Sequence, residues 1–425
     1  MTDNVSRAGV FMQRKLSVAM LTYLIIYLLA SLVLGQLLID YTPVSFFSIL
    51  CFFSCLLLFV VGCWLGEKTQ FAIRPVLTVN LASFMKVITW LSFVFMLISW
   101  WYNLRYWGGI GYIVSHAMQI RNSVIGGNSD FIPGWLGYIS SLSYLAFLAG
   151  MFLFVNGIKR KKNRVVFFCY LLVNIISILL QDLLSFGRIG LVFTFFSIIA
   201  FMLIFLPLRK IINTRNFIVL LMALVLVNAP RIIRGGGDMF MASLSEKASS
   251  INIPLNPYNA GLVINFIYYF SSPYAFDYWL KNTDGSERSY GERTFTPVFN
   301  VMSKVFASDK RPQLIDDNAW VPFRHNIFSV AKDYYMDFGT VGLIIIPFAL
   351  GFSGGRQSML SRRGIVQGKV NYINLMLSVF MLACFIYAPL YNVFSFGKFL
   401  IPWIFMYFCS FLIQLRDRDA FFNHR

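Results

Sequence analysis

Four short stretches of the sequence hold side chains able to bind an anion or move a proton. In LLSFGRIG, Arg188 is squeezed between two apolar runs, with Asp182 about one and a half helical turns earlier. A guanidinium held so close to an apolar medium suits a phosphate anchored in lipid; the competing reading is a snorkelling arginine paired with Asp182. In NAPRIIRGGGD, the i, i+3 spacing of Arg231 and Arg234 puts both on one helical face, and the three glycines that follow let backbone N–H groups approach an anion. A bidentate anion clamp and an ion pair with Asp238 both fit that stretch, which lacks the Lys-Ser/Thr ending of a nucleotide-binding loop.

The third stretch is VPFRHNIFSVAKDYYMDFGTVGLI. His325 is one of 3 histidines in the chain, and a neutral imidazole there suits proton abstraction from a hydroxyl, with Arg324 and Asn326 as flanking donors. Asp333 and Asp337, one helical turn apart, are alternative bases; the plainer reading is a capped, solvated helix start. Fourth, Arg105 and Arg121 close the site from another side or are solvated surface groups. No HExxH and no paired-cysteine motif occurs, so no metal is expected.

The elements that must position these groups follow from composition. Of 425 residues, 58% are hydrophobic and 13% charged, and the mean hydropathy is +0.68. Soluble domains carry about one-quarter charged residues, so lipid is the expected solvent. Apolar runs near 18–39, 43–65, 84–102, 134–157, 165–184, 189–206, 216–229, 339–355, 372–390 and 397–415 predict about ten transmembrane helices, within a range of 10–12. Each must be helical, because hydrocarbon offers no partner to an unpaired backbone group. The first run has a basic flank but is too long for a signal peptide and reads as a retained anchor.

Charge predicts the orientation. With both termini cytoplasmic, roughly 21 of the 36 Lys and Arg residues fall on the inner side, leaving the two sides at about +17 and +1. The +18 net charge and pI of 9.7 are thereby explained without a nucleic acid partner. All six cysteines lie within apolar runs, and no structural disulfide is expected.

The chain reads as a single membrane domain, 1–425, with outer segments at 103–133 and 230–338 and no internal repeat. Within the larger segment, 258–280 is apolar enough to be mistaken for a span. A crossing there would carry His325 to the cytoplasm and invert the charge bias, so interfacial or half-buried helices are expected. Aromatic residues make up 18% of the chain and gather toward the outer side, as headgroup belts do.

The stretch HNIFSVAKDYYMDFGTVGLIIIPFALG resembles the most recognisable segment of the Wzy-type oligosaccharide repeat-unit polymerases. There an Asn-containing turn precedes a Tyr-x-Asp-Phe-Gly-x-x-Gly helix start, here Tyr335, Asp337, Phe338, Gly339 and Gly342. The glycine pair followed by Arg121, Arg188 between spans, and SYGERTF with Arg293 in the large outer segment are also similar to that family. The resemblance implies a GT-C-like fold in the bacterial inner membrane and a cofactor-free, metal-independent glycosyl transfer on its extracytoplasmic face. Undecaprenyl-diphosphate-linked oligosaccharides would be donor and acceptor, with a flippase and a chain-length regulator as partners. Arg188, Arg231, Arg234 and Arg324 would then bind diphosphate, Arg121, Arg293 and Asn326 the substrate, and His325, or failing it Asp333 or Asp337, would act as base. The His325-Asn326 pair equally resembles the O-antigen ligases. A flippase or secondary transporter is the alternative from another class, disfavoured by the lack of repeats and midplane charges.

Overall fold

The computed structural model describes residues 12, 14–34, 45–69, 80–125, 132–160, 163–184, 186–207, 260–283, 288–305, 319–321, 324–325, 329–366 and 370–422, with isolated positions between 213 and 227. Six helices are long and apolar enough to cross a membrane, the architecture of a helical membrane protein. The six begin with α1 (Leu16–Leu29, continued by a π turn over Ala30–Leu34), α2 (Phe46–Lys68) and α3 (Leu81–Trp107). After the short helices α4 (Ile110–Ser115) and α5 (Ala117–Ile125), α6 (Gly134–Ser140) and α7 (Ser143–Arg160) together make the fourth. The fifth is α8 (Arg164–Leu184). Three apolar helices are shorter: α9 (Ile189–Phe205), α14 (Tyr372–Tyr387) and the apolar part of α15 (Gly397–Phe422). The expected run at 216–229 lies almost wholly outside the described residues.

The sixth, α13, spans Val330–Val366 and starts nine residues before the apolar run at 339 that announces it. It bends at Gly339, where φ 63° and ψ −150° suit only glycine. Helix starts are capped where the sequence supplies a short polar residue. Ser45 accepts from the Ser48 N–H at 3.1 Å, and Asn371 accepts from Ile373 and Asn374 at 3.0 and 3.2 Å, each such cap contributing about 1 kcal/mol.

Lipid offers no apolar driving force between helices, so close packing must come from small residues. Gly62 and Gly66 on α2 face Gly351 and Gly355 on α13, four residues apart on each helix. A Cβ at any of the four would overlap a carbonyl oxygen of the other helix: Phe348, Phe352, Phe59 and Cys63 in turn. The order of those pairs makes α2 and α13 parallel. Glu67 ties one end of this pair, the near end, to its neighbours. It accepts from the Leu16 N–H at 2.8 Å, the Ser17 hydroxyl at 2.5 Å and the Ser358 hydroxyl at 3.0 Å. A carboxylate against the first N–H groups of α1 also meets the positive pole of that helix.

The opposite, far end carries the segment in question at 258–280. It forms α10 (Ala260–Phe270) and α11 (Ser272–Asn282), bent at Ser271, and the short α12 (Thr296–Val305) follows in the chain. Asn265 on one arm meets Arg188 at the start of α9, and Asp277 on the other accepts from the Ser45 N–H at the start of α2. The bend itself lies deeper. Tyr269 packs against Phe196, seven residues into α9, and Phe276 lies by Phe52, six residues into α2, a depth of about 10 Å. The segment therefore dips in from the far end and returns. Its backbone there is satisfied by α1, since Tyr27 donates to the Tyr269 carbonyl at 3.1 Å and Ser31 to the Phe270 carbonyl at 2.8 Å. The Tyr269 hydroxyl bonds that of Tyr23 and donates to the Ile386 carbonyl at 2.6 Å.

Candidate functional site

Helix α8 ends in a tight corner that fixes Arg188. The Gly187 N–H reaches back to the Asp182 carbonyl at 2.8 Å and the Phe186 N–H to the Leu183 carbonyl at 3.2 Å, the bond pair of a Schellman turn. Phe186 takes the left-handed position usually given to glycine, with φ 46°, at a cost of about 1–2 kcal/mol. Burial offsets that cost: Phe186 is 2% exposed and packs with Ile113, Ala117 and Ile120 under Trp100 and Trp107. The same cluster docks α4 and α5 onto the corner. It sets Arg121 of α5 within 3.1 Å of the Phe186 carbonyl, to which its Nη1 donates.

Two arginines from separate parts of the chain thus meet at the far end. Arg188 donates from Nη1 to Asn265 Oδ1 at 2.7 Å. Burial lowers the affinity of both guanidinium groups for their protons, and the charge of Arg188 acts on Arg121 in the same sense. Tyr268 and Tyr391 lie within electrostatic reach of both arginines. Burial pushes the Tyr391 phenol well above its ordinary range, and it feels Tyr268, Arg188, Arg121 and Asp333 around it. Asp333, in the first turn of α13, therefore belongs to the same neighbourhood. Such an arrangement presents two fixed cations and neutral phenolic donors in a partly desolvated setting, which suits a multiply charged anion.

The anticipated pairing of Arg188 with Asp182 is replaced. The Asp182 carboxylate accepts from the Gly190 and Leu191 N–H groups at 3.1 and 2.8 Å, capping α9, and from Lys398 Nζ at 2.7 Å. Asp337 is also reassigned. Far from a base beside Asp333, it is wholly buried, and both of its oxygens are occupied. Oδ1 takes the Ser289 hydroxyl at 2.6 Å and the Arg293 N–H at 3.2 Å, and Oδ2 takes the Thr294 N–H at 2.7 Å. It latches the SYGERTF segment onto α13. Arg288, donating to the Tyr335 carbonyl at 2.9 Å, packs across the bend at Gly339. Arg293 thus enters through its backbone, and Asn392 joins the latch to the Tyr391 corner by donating to the Thr294 carbonyl at 3.1 Å.

Arg324 and His325 form a two-residue strand, β2, paired antiparallel with β1 (Ala319–Trp320). The Val330 N–H, five residues on from His325, donates to the Ala388 carbonyl at 2.9 Å, three residues before Tyr391. The His325 backbone is thereby held within about 17 Å of Val330. Arg231, Arg234, Asp238 and Asn326 lie outside the described residues. Arg105, near the end of α3, stands over the Trp101 ring at 5.5 Å. Sequence reasoning missed Asn265, Tyr268, Tyr391 and Lys398. The tyrosines are lost among the belt aromatics, but Lys398 had a signal, since Ser-Phe-Gly-Lys at 395–398 repeats Ser-Phe-Gly-Arg at 185–188.

Compared with models of known protein families, with curated proteins and with solved structures, the chain matches none.

Proposed function

We propose that this chain is a membrane glycosyltransferase that polymerises oligosaccharide units carried on undecaprenyl diphosphate. The single observation that carries the reading is the approach of Arg121, held on the Phe186 carbonyl, to Arg188 at one end of the bundle, with Tyr268 and Tyr391 within electrostatic reach of both. A lipid-borne diphosphate brings concentrated negative charge to the membrane surface, and paired guanidinium groups match it in charge and geometry. In the proposed reaction the bond from the sugar anomeric carbon to the diphosphate oxygen breaks, and the diphosphate leaves with the electron pair. The acceptor hydroxyl oxygen forms the new glycosidic bond, and its proton passes to His325 or Asp333. Fixed cations stabilise the developing charge without reorganising, which lowers the barrier.

The wider reading has about ten spans, a GT-C-like arrangement, cytoplasmic termini and the far end on the extracytoplasmic face of a bacterial inner membrane. A flippase would deliver the substrate and a chain-length regulator would act beside the enzyme. The decisive experiment supplies purified protein in detergent with lipid-linked repeat units and follows products by gel electrophoresis. A polymer ladder that disappears in Arg121→Ala and Arg188→Ala is expected. Transfer only to a lipid A core acceptor would mark a ligase instead. Movement of lipid-linked units across vesicles with no new glycosidic bond would mark a transporter.

A further inference from the structure

The two corners spelled alike differ in what their cations meet. Arg188 opens α9 and donates to Asn265, whereas Lys398 opens α15 and forms an ion pair with Asp182 at 2.7 Å. The carboxylate in that pair is wholly buried, while the lysine keeps 20% of its side-chain surface exposed. Asp182 also belongs to the corner that positions Arg188: its carbonyl receives the Gly187 N–H, and its carboxylate caps the helix that Arg188 begins. The Asp182 carboxylate bonds the N–H groups two and three residues after Arg188, which puts it within the length of the Arg188 side chain.

A buried carboxylate needs a compensating cation, and leaving one without costs several kcal/mol. Among the described residues Lys398 takes the role. Were it absent, the cheapest compensation would be for the Arg188 guanidinium to swing from Asn265 toward Asp182. We propose that Lys398 is a positioning residue: by neutralising Asp182 it keeps the Arg188 guanidinium turned toward Asn265 and the anion site. This rests on the diphosphate reading given above and adds a residue that touches no ligand.

The test measures binding of farnesyl diphosphate to the full-length protein in detergent by titration calorimetry. Lys398→Met should raise Kd about tenfold or more, the low end of losing a charge-assisted bond. Lys398→Arg should stay within about threefold of wild type, because the cation is kept. In Asp182→Asn/Lys398→Met no carboxylate is left to capture Arg188, so affinity should return to within about threefold of wild type. Should Lys398→Met fail to fold, Lys398→Gln replaces it in both variants. A double variant as weak as the single one, or a single variant that binds like wild type, overturns the proposal while leaving the diphosphate reading intact. A wild-type protein that does not bind the probe overturns that reading and the role of Lys398 with it.

Discussion

Asp337→Ala removes the acceptor for three donors at once, and its effect separates a latch from a base. Thr294 is fully buried, so its N–H, now 2.7 Å from Oδ2, loses its partner where water does not reach, at a cost of about 1–3 kcal/mol. The Ser289 hydroxyl and Arg293 N–H are half-buried and regain water, each losing about 1 kcal/mol net. The total, about 3–5 kcal/mol, falls on the 288–295 segment and not on the whole bundle, which raises its open population about 10²–10⁴-fold. Trypsin reads that opening directly, because the segment carries Arg288 and Arg293, both half-buried in the closed state. Cleavage after these two residues, followed by mass spectrometry on protein in detergent, should accelerate by about the same factor. Asp337→Asn keeps one carbonyl oxygen and the shape, so it should open the segment far less and retain polymer synthesis in proportion. The reasoning is refuted if Asp337→Ala leaves both arginines as resistant as wild type. An Asp337→Asn protein that resists trypsin yet makes no polymer would refute it too, and would restore the carboxylate as a base.

Further outcomes are expected elsewhere in the molecule. Gly355→Val puts side-chain atoms into the Cys63 carbonyl and should destabilise by about 1–3 kcal/mol, lowering the apparent melting temperature in detergent; an unchanged melt would disprove the close approach. Gly339→Ala should cost about 1–3 kcal/mol from its backbone angles and also press on Arg288, whose Nη2 lies 3.2 Å from the added carbon. Because burial raises the Tyr391 phenol, its proton is held more tightly in the folded chain than in the unfolded one. That contribution is complete below the ordinary tyrosine value of about 10 and is lost as pH rises beyond it. Tyr391→Phe should flatten the alkaline limb of the stability curve, and an unaltered limb would exclude the phenol.

The six long apolar helices were legible because run length is a local property: the apolar stretch at 165–184 and the helix Arg164–Leu184 differ by one residue at their start. What a side chain does at its destination was not. Asp337 and the donors that occupy it are separated by more than forty residues, so nothing near it in sequence distinguishes a latch from a base. Asp182 and Arg188 looked like natural partners until Lys398, from 216 residues away, took the carboxylate. Arg121 was singled out in the sequence, but its place at the corner before Arg188 depends on a left-handed Phe186 that no rule would put there. The four glycines of α2 and α13 drew no reading from the sequence, since only their facing one another gives their spacing meaning.

The glycine contact also has a mechanical consequence. Where backbone touches backbone, there are no long side chains to repack, so the two helices form a stiff rail along which neither partner slides by small steps. The bend at Gly339 stands twelve residues before the first rail glycine of α13, at Gly351, and everything beyond the bend is free of that clamp. Residues 330–338, on the other side of the bend, are held instead by the Val330 bond to the Ala388 carbonyl, by Arg288 and by the Asp337 latch, so the placing of Asp333 is set independently of the rail.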